Sequence, residues 1–100
     1  MRVISLRTLR EFWKKHPDAE VPLRQWYRIA VNADWANLQA LRQTYSHADG
    51  VTTSRGDTLT VFNIGGNKFR LIVRIRYDYQ LINVRAVLTH DEYDAGSWKE

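Results

Sequence analysis

Apolar positions change their period midway along the chain. Between Leu6 and Tyr45 they recur every three or four residues, as on a half-buried helix; between Thr58 and Thr89 they alternate, as along a strand. Residues 1–4 read as a short strand leading into a first helix, with Ser5 at its N-cap and Leu6, Leu9, Phe12 and Trp13 on its inner face to about His16. Pro17 ends that helix. Asp18 is the expected cap of a second helix with Leu23, Trp26, Tyr27 and Ala30 inside. Asp34 is the expected cap of a third, carrying Trp35, Leu38, Leu41 and Tyr45. Gly50, Gly56, Asp49 and several Ser and Thr residues make residues 46–57 an exposed loop.

Three strands follow, over residues 58–64, 67–77 and 80–89. Gly65-Gly66 is a two-residue hairpin signal and Asp78-Tyr79 a weaker one. Those loops set a register in which Phe62 meets Phe69, Val61 meets Arg70 and Asn63 meets Lys68. On the other side Ile75 meets Ile82, Val73 meets Val84, Leu71 meets Ala86, Phe69 meets Leu88 and His90 falls opposite Asn67. One face of this antiparallel meander is apolar. The other gathers Asn63, Lys68, Arg70, Arg74, Arg76, Asn83 and Arg85, interrupted by Ile72. The fold class is therefore α+β, N-terminal helices packed on a small antiparallel sheet, and residues 1–100 are expected to form one domain.

Charge changes the picture. Lys and Arg exceed Asp and Glu by four, and cations crowding one pleated face repel unless a polyanion lies across them. Cysteine is absent, which excludes disulfides, thiolate metal sites and cysteine nucleophiles. No apolar run has the length of a membrane span or a signal sequence, so the expectation is a soluble cytoplasmic protein with no membrane partner.

No carboxylate cluster or zinc spacing stands out, since His16, His47 and His90 are far apart in sequence and Asp91, Glu92 and Asp94 read as solvated. His90 ends the third strand and Tyr93 follows three residues later, next to the Lys68 and Arg70 edge. An imidazole, a phenol and cations at one sheet end suit RNA cleavage by the substrate's own 2′-hydroxyl. That chemistry needs a proton acceptor, cations on the phosphoryl oxygens and a proton donor for the 5′ oxygen, and no metal or other cofactor. The plainer reading of His90 is a strand-end hydrogen bond. Arg74, Arg76 and Arg85 either contact phosphate or pair with Asp or Glu on a partner or on the C-terminal tail, while Arg7, Arg10, Lys14 and Lys15 read as a solvated helix face. Trp26 and Trp35 fill the core, and Trp98 is either exposed or covers the sheet edge.

The run Val61-Phe62-Asn63-Ile64-Gly65-Gly66-Asn67-Lys68-Phe69-Arg70-Leu71, together with Thr89-His90-Asp91-Glu92-Tyr93-Asp94, resembles the HigB toxins of bacterial type II toxin–antitoxin pairs, within the RelE-like superfamily. The resemblance implies a RelE/ParE-like fold over essentially the whole chain. It implies a ribosome-dependent mRNA endonuclease (an mRNA interferase) acting in the ribosomal A site, surrounded by ribosomal RNA. Its partner would be a cognate helix-turn-helix antitoxin, through which alone the toxin meets operator DNA. Family likeness gives Arg70, Lys68, His90 and Tyr93 the catalytic roles, and the place of Asn63, Asn67, Arg74, Arg76 and Arg85 on the polar side of the sheet makes them the expected RNA-binding residues. RelE keeps a pair of lysines on the preceding strand where this chain has Val61 and Asn63, which leaves His90 and Tyr93 as alternatives for the base. Two other functions fit the pattern: a same-fold toxin that acts by binding, as gyrase poisons do, and a non-catalytic single-strand RNA-binding module stacking bases on Tyr77 and Tyr79.

Overall fold

Three helices cover one face of a five-stranded sheet, and a fourth, shorter helix folds onto the other. The computed structural model describes residues 1–99. In chain order these are β1 (Arg2–Ile4), α1 (Leu6–Lys15), α2 (Glu20–Asn32), α3 (Leu38–Thr44), β2 (Asp49–Thr52), β3 (Thr58–Ile64), β4 (Phe69–Arg76), β5 (Leu81–Thr89) and α4 (His90–Ala95). The sheet runs β1-β5-β4-β3-β2, with β1 parallel to β5 and every other pair antiparallel. This is the α+β architecture that the change of period predicts. Among the described residues no helix is long and apolar enough to cross a membrane.

The main core forms where the inner stripes of the helices meet the apolar face of the meander. Leu9, Leu23, Trp26 and Leu41 pack with Phe62, Leu71, Val73 and Ile82, all essentially without solvent contact. Each such side chain contributes roughly 1.5–3 kcal/mol on burial. Trp26 meets Phe62 edge-on at 5.4 Å between ring centroids, and Trp35 is also buried, so both tryptophans belong to the core. A second, smaller cluster lies on the reverse face. Leu59, Val61 and Ile72 are buried there beneath Val51, Leu88, Tyr93 and Trp98. This explains the single apolar interruption in the basic face: Ile72 sits under the C-terminal segment.

The structure corrects several local expectations. Residues 46–57 are not all loop, because Asp49–Thr52 pairs with Leu59 to Val61 and Thr58 as an edge strand. Its side chains are mostly exposed, so no alternation marks it in the sequence. A 3₁₀ turn, Pro17–Ala19, precedes α2, whose N-cap is Ala19 rather than Asp18. The third helix is capped by Asn37, not Asp34: its side chain accepts from the Ala40 N–H at 2.8 Å. Trp35 precedes that helix, donating from Nε1 to Thr44 Oγ1 at 3.2 Å.

Both hairpin registers also differ in part. The first turn spans four residues, so Ile64 faces Phe69, Phe62 faces Leu71, Val61 faces Ile72 and Asn63 faces Arg70. Gly65 and Gly66 do adopt positive φ, 63° and 71°. The shift by two residues keeps every side chain on its expected face while adding the buried Ile64–Phe69 pair. In the second hairpin Ile75 faces Ile82 and Val73 faces Val84, as expected. A bulge next to Ile72/Val73 then leaves Arg85 as the extra residue, so Leu71 faces Val87 and Phe69 faces Thr89. The bulge turns Val87, rather than Ala86 or Leu88, into the main core, and it moves His90 opposite Lys68.

Candidate functional site at the end of the sheet

The end of the meander where β3 finishes, β4 starts and β5 finishes brings together Asn63, Asn67, Lys68, Arg70, His90 and Tyr93. Thr89 creates the geometry. Its side chain accepts from the Glu92 N–H at 3.3 Å, and Glu92 Oε1 accepts from the Thr89 N–H at 2.9 Å, a reciprocal capping box that starts α4 at the strand's last residue. Gly96, in the left-handed region at φ 79°, ends the helix one and a half turns later. His90 is thereby fixed at the first helical position and its N–H donates to the Lys68 carbonyl at 3.1 Å.

Arg70 occupies the middle of this cluster, half-buried between Asn63 on one side and Leu88 on the other. Its Nη1 donates to the carbonyls of Asn67 and Phe69, each at 3.1 Å, and the guanidinium lies 5.5 Å from the centroid of the Tyr93 ring. Tyr93 is itself held by stacking on Trp98 at 5.0 Å, and Trp98 Nε1 donates to the Tyr93 carbonyl at 3.0 Å. Trp98 is thus a clamp on the reverse face of the sheet. His90 Nδ1 lies 2.8 Å from Asp94 Oδ2 across one turn of α4, which turns Nε2 away from that carboxylate. Lys68 leans the other way, with its Nζ 3.5 Å from Asp18 Oδ2. Asn63 and Asn67 line an open depression with His47 and Gly66.

The remaining basic residues are spread out. Arg74 faces Asn83 and is exposed four residues along β4 from Arg70, about 13 Å at the rise of a strand. Arg76 lies at the opposite end of the sheet, about 20 Å away by the same measure. There it binds Asp78 at 3.2 Å, and the guanidinium, chiefly through this hydrogen bond, holds the Asp78 carboxyl below its usual range while its own pKa rises. Arg85, displaced by the bulge, lines a recess against α1 with Thr8, Glu11 and Lys15. Arg74, Arg76 and Arg85 therefore do not converge on Arg70.

Three neighbours of the cluster have no site role in the sequence reading. Asp94 and Asp18 are the carboxylate partners of His90 and Lys68. His47, distant along the chain, arrives beside Asn63 because β2 pairs with β3. Only the first had a legible signal, the i, i+4 spacing of His90 and Asp94 after a Thr-x-x-Glu start. Among the described residues no three His, Asp or Glu side chains gather as a metal-binding group.

Helices thus pack on a five-stranded sheet, with an arginine, a histidine and a tyrosine at one sheet end. The chain belongs to the HigB toxin family, described as the RelE-like toxic component of a toxin–antitoxin system, whose sequence profile matches residues 19–96. An antitoxin is therefore its partner. Curated relatives include the mRNA interferase toxin HigB of Escherichia coli K12, 26% identical over 94 residues, 94% of this chain and 88% of that protein. The mRNA interferases HigB of Escherichia coli O157:H7 and Shigella flexneri match with the same identity and coverage.

Proposed function

We propose that this toxin is a ribosome-dependent mRNA endonuclease, cutting RNA by attack of a 2′-hydroxyl on the adjacent phosphate at the Arg70–His90 end of the sheet. The reading is carried by one observation: a guanidinium lies 5.5 Å from a tyrosine ring at the sheet end where His90 starts the last helix, in a family whose curated relatives are named mRNA interferases. Residues 1–100 act as a single RelE-like domain in the cytoplasm, where the ribosome is.

The geometry supports the following roles. With Nδ1 occupied by Asp94, His90 has Nε2 available to take the 2′ proton. The 2′ oxygen then bonds to phosphorus, the bond to the 5′ oxygen breaks, and a 2′,3′-cyclic phosphate is left. Tyr93 gives its hydroxyl proton to the departing 5′ oxygen. Arg70 is the fork for the phosphoryl oxygens: two of its hydrogen bonds are to backbone carbonyls on one side, and it has further N–H groups for the substrate. Leu88, Ile72 and the Tyr93 ring beside it keep the local dielectric low, which strengthens charge stabilisation in the transition state. Lys68 adds positive charge, and Asn63 and Asn67 hold the flanking nucleotides. No step calls for a metal. Arg74 continues the basic track along β4, and Arg76 and Arg85 contribute long-range attraction to ribosomal RNA.

The decisive experiment is mapping of transcript 5′ ends after induction of wild type, Arg70→Ala and His90→Ala. Codon-linked cuts present only with wild type support the reading. Growth arrest with DNA damage and no cuts would instead favour a gyrase-binding toxin. One feature favours a binding module: the Tyr79 side chain is 70% exposed. Retention of RNA binding without any cleavage would select that reading.

A further inference from the structure

A groove on the helix layer, unrelated to the sheet-end cluster, has the make-up of a protein-docking site. Leu6, Trp13, Tyr27 and Val31 line it along α1 and α2, Arg10, Arg24 and Arg28 stand around it, and it encloses about 290 Å³. We infer that this groove receives an acidic segment of the antitoxin that inserts a large apolar side chain between α1 and α2 and sets carboxylates against Arg10 and Arg28. The inference rests on the partnership that the family assigns, and adds where that partner sits.

Charge complementarity selects the occupant. Arg24 is already engaged, donating to Glu20 at 2.8 Å and lying 4.7 Å over the Trp13 ring. Among the described residues neither Arg10 nor Arg28 has a carboxylate in ion-pair range. Two unpaired guanidiniums beside apolar side chains suit carboxylates flanking an apolar residue. An RNA strand fits less well. Trp13 is only 8% exposed and Arg24 covers its face, so this groove presents no free indole for a base to stack on.

The site's position has a consequence for neutralisation. α1 and α2 pack on the apolar face of the sheet, whereas Tyr93 and the second cluster lie on the reverse face. A segment held in the groove therefore covers neither Tyr93 nor the second cluster.

The test measures the affinity of the purified antitoxin encoded beside this gene for four proteins. They are wild type, Arg10→Glu/Arg28→Glu, the milder Arg10→Gln/Arg28→Gln, and the sheet-face control Arg74→Glu/Arg76→Glu. Both groove variants are expected to bind more weakly, the charge reversal by about tenfold or more, with unchanged circular dichroism and continued growth arrest that the antitoxin no longer relieves. The control is expected to bind like wild type. Groove variants that bind like wild type while the control weakens would overturn the proposal in favour of a covered sheet. Groove variants that lose ribosome association and keep the antitoxin would assign the groove to RNA and overturn it equally. A wild-type chain that forms no complex with that antitoxin would overturn the partner assignment itself, together with the inference.

Discussion

His90 Nδ1 and Asp94 Oδ2 lie 2.8 Å apart across one turn of α4, so the carboxylate engages Nδ1 and leaves Nε2 on the far side of the ring. Both side chains are about half exposed or more, 49% and 59%, so the pair orients the imidazole with little energy to spare. On the proposed mechanism, His90→Ala slows cleavage by about 10²–10⁴, the usual contribution of a positioned proton acceptor. Asp94→Ala is expected to cost only about two- to fivefold, the equivalent of an exposed pair. Single-turnover cleavage of a ribosome-bound message measures both. Equal losses would make Asp94 a direct participant in proton transfer.

Arg70 gives a sharper test of charge against geometry. Arg70→Ala removes a donor to the developing phosphoryl charge and is expected to lower the cleavage rate about 10²–10³-fold. Arg70→Lys keeps the charge but loses the planar fork, and should recover only a small part of that loss. Neither change empties the main core, so thermal midpoints within about 4 °C of wild type are expected. Cleavage unaffected by Arg70→Ala would remove the arginine from the site.

What the sequence makes legible here follows from periodicity. The helical stripes and the alternation of β3 to β5 are written in buried apolar positions, which is why their order and faces are readable. The edge strand Asp49–Thr52 escapes because its burial pattern shows almost no inner face. The bulge at Arg85 escapes because alternation cannot reveal an unpaired residue until the partner strand is known. Its effect is local yet matters for the site, since it sets His90 beside Lys68 rather than Asn67. The cluster's members could be proposed from charge and family likeness. Asp18, the partner of Lys68, leaves no hydrophobic trace because both side chains are exposed, whereas Asp94 is signalled by its i, i+4 spacing from His90. Asn37 displaces Asp34 as a cap; both residue types cap well, so residue type alone does not choose between them.

The helix that carries both Tyr93 and Asp94 depends on its start. Thr89→Ala removes one half of the capping box and is expected to cost about 1 kcal/mol, lowering the thermal midpoint by about 4–8 °C. Cleavage should fall as well, because fraying of α4 loosens the Tyr93 ring against Arg70 and Trp98. Thr89→Ser, which keeps the hydroxyl acceptor, should restore most of both. Hydrogen exchange at the Glu92 N–H reads the cap directly. Exchange unchanged in Thr89→Ala would show that α4 is held by its packing on Leu88 and Ile72 instead.

Alkaline stability tests one half-buried phenol. Tyr45 packs edge-on against Phe62 at 5.2 Å and Trp35 at 6.1 Å, and burial pushes its pKa above the ordinary tyrosine value. The sign is fixed by linkage: the neutral phenol is favoured in the fold, so its contribution is fully present below the unfolded value of about 10. It is lost as pH rises from there through the raised folded value. Tyr45→Phe retains the ring contacts and removes the titration. Melting curves collected from pH 8 to 11 should therefore fall less steeply for Tyr45→Phe than for wild type, with little difference at pH 8. Parallel curves would mean that the hydroxyl reaches water in the native state.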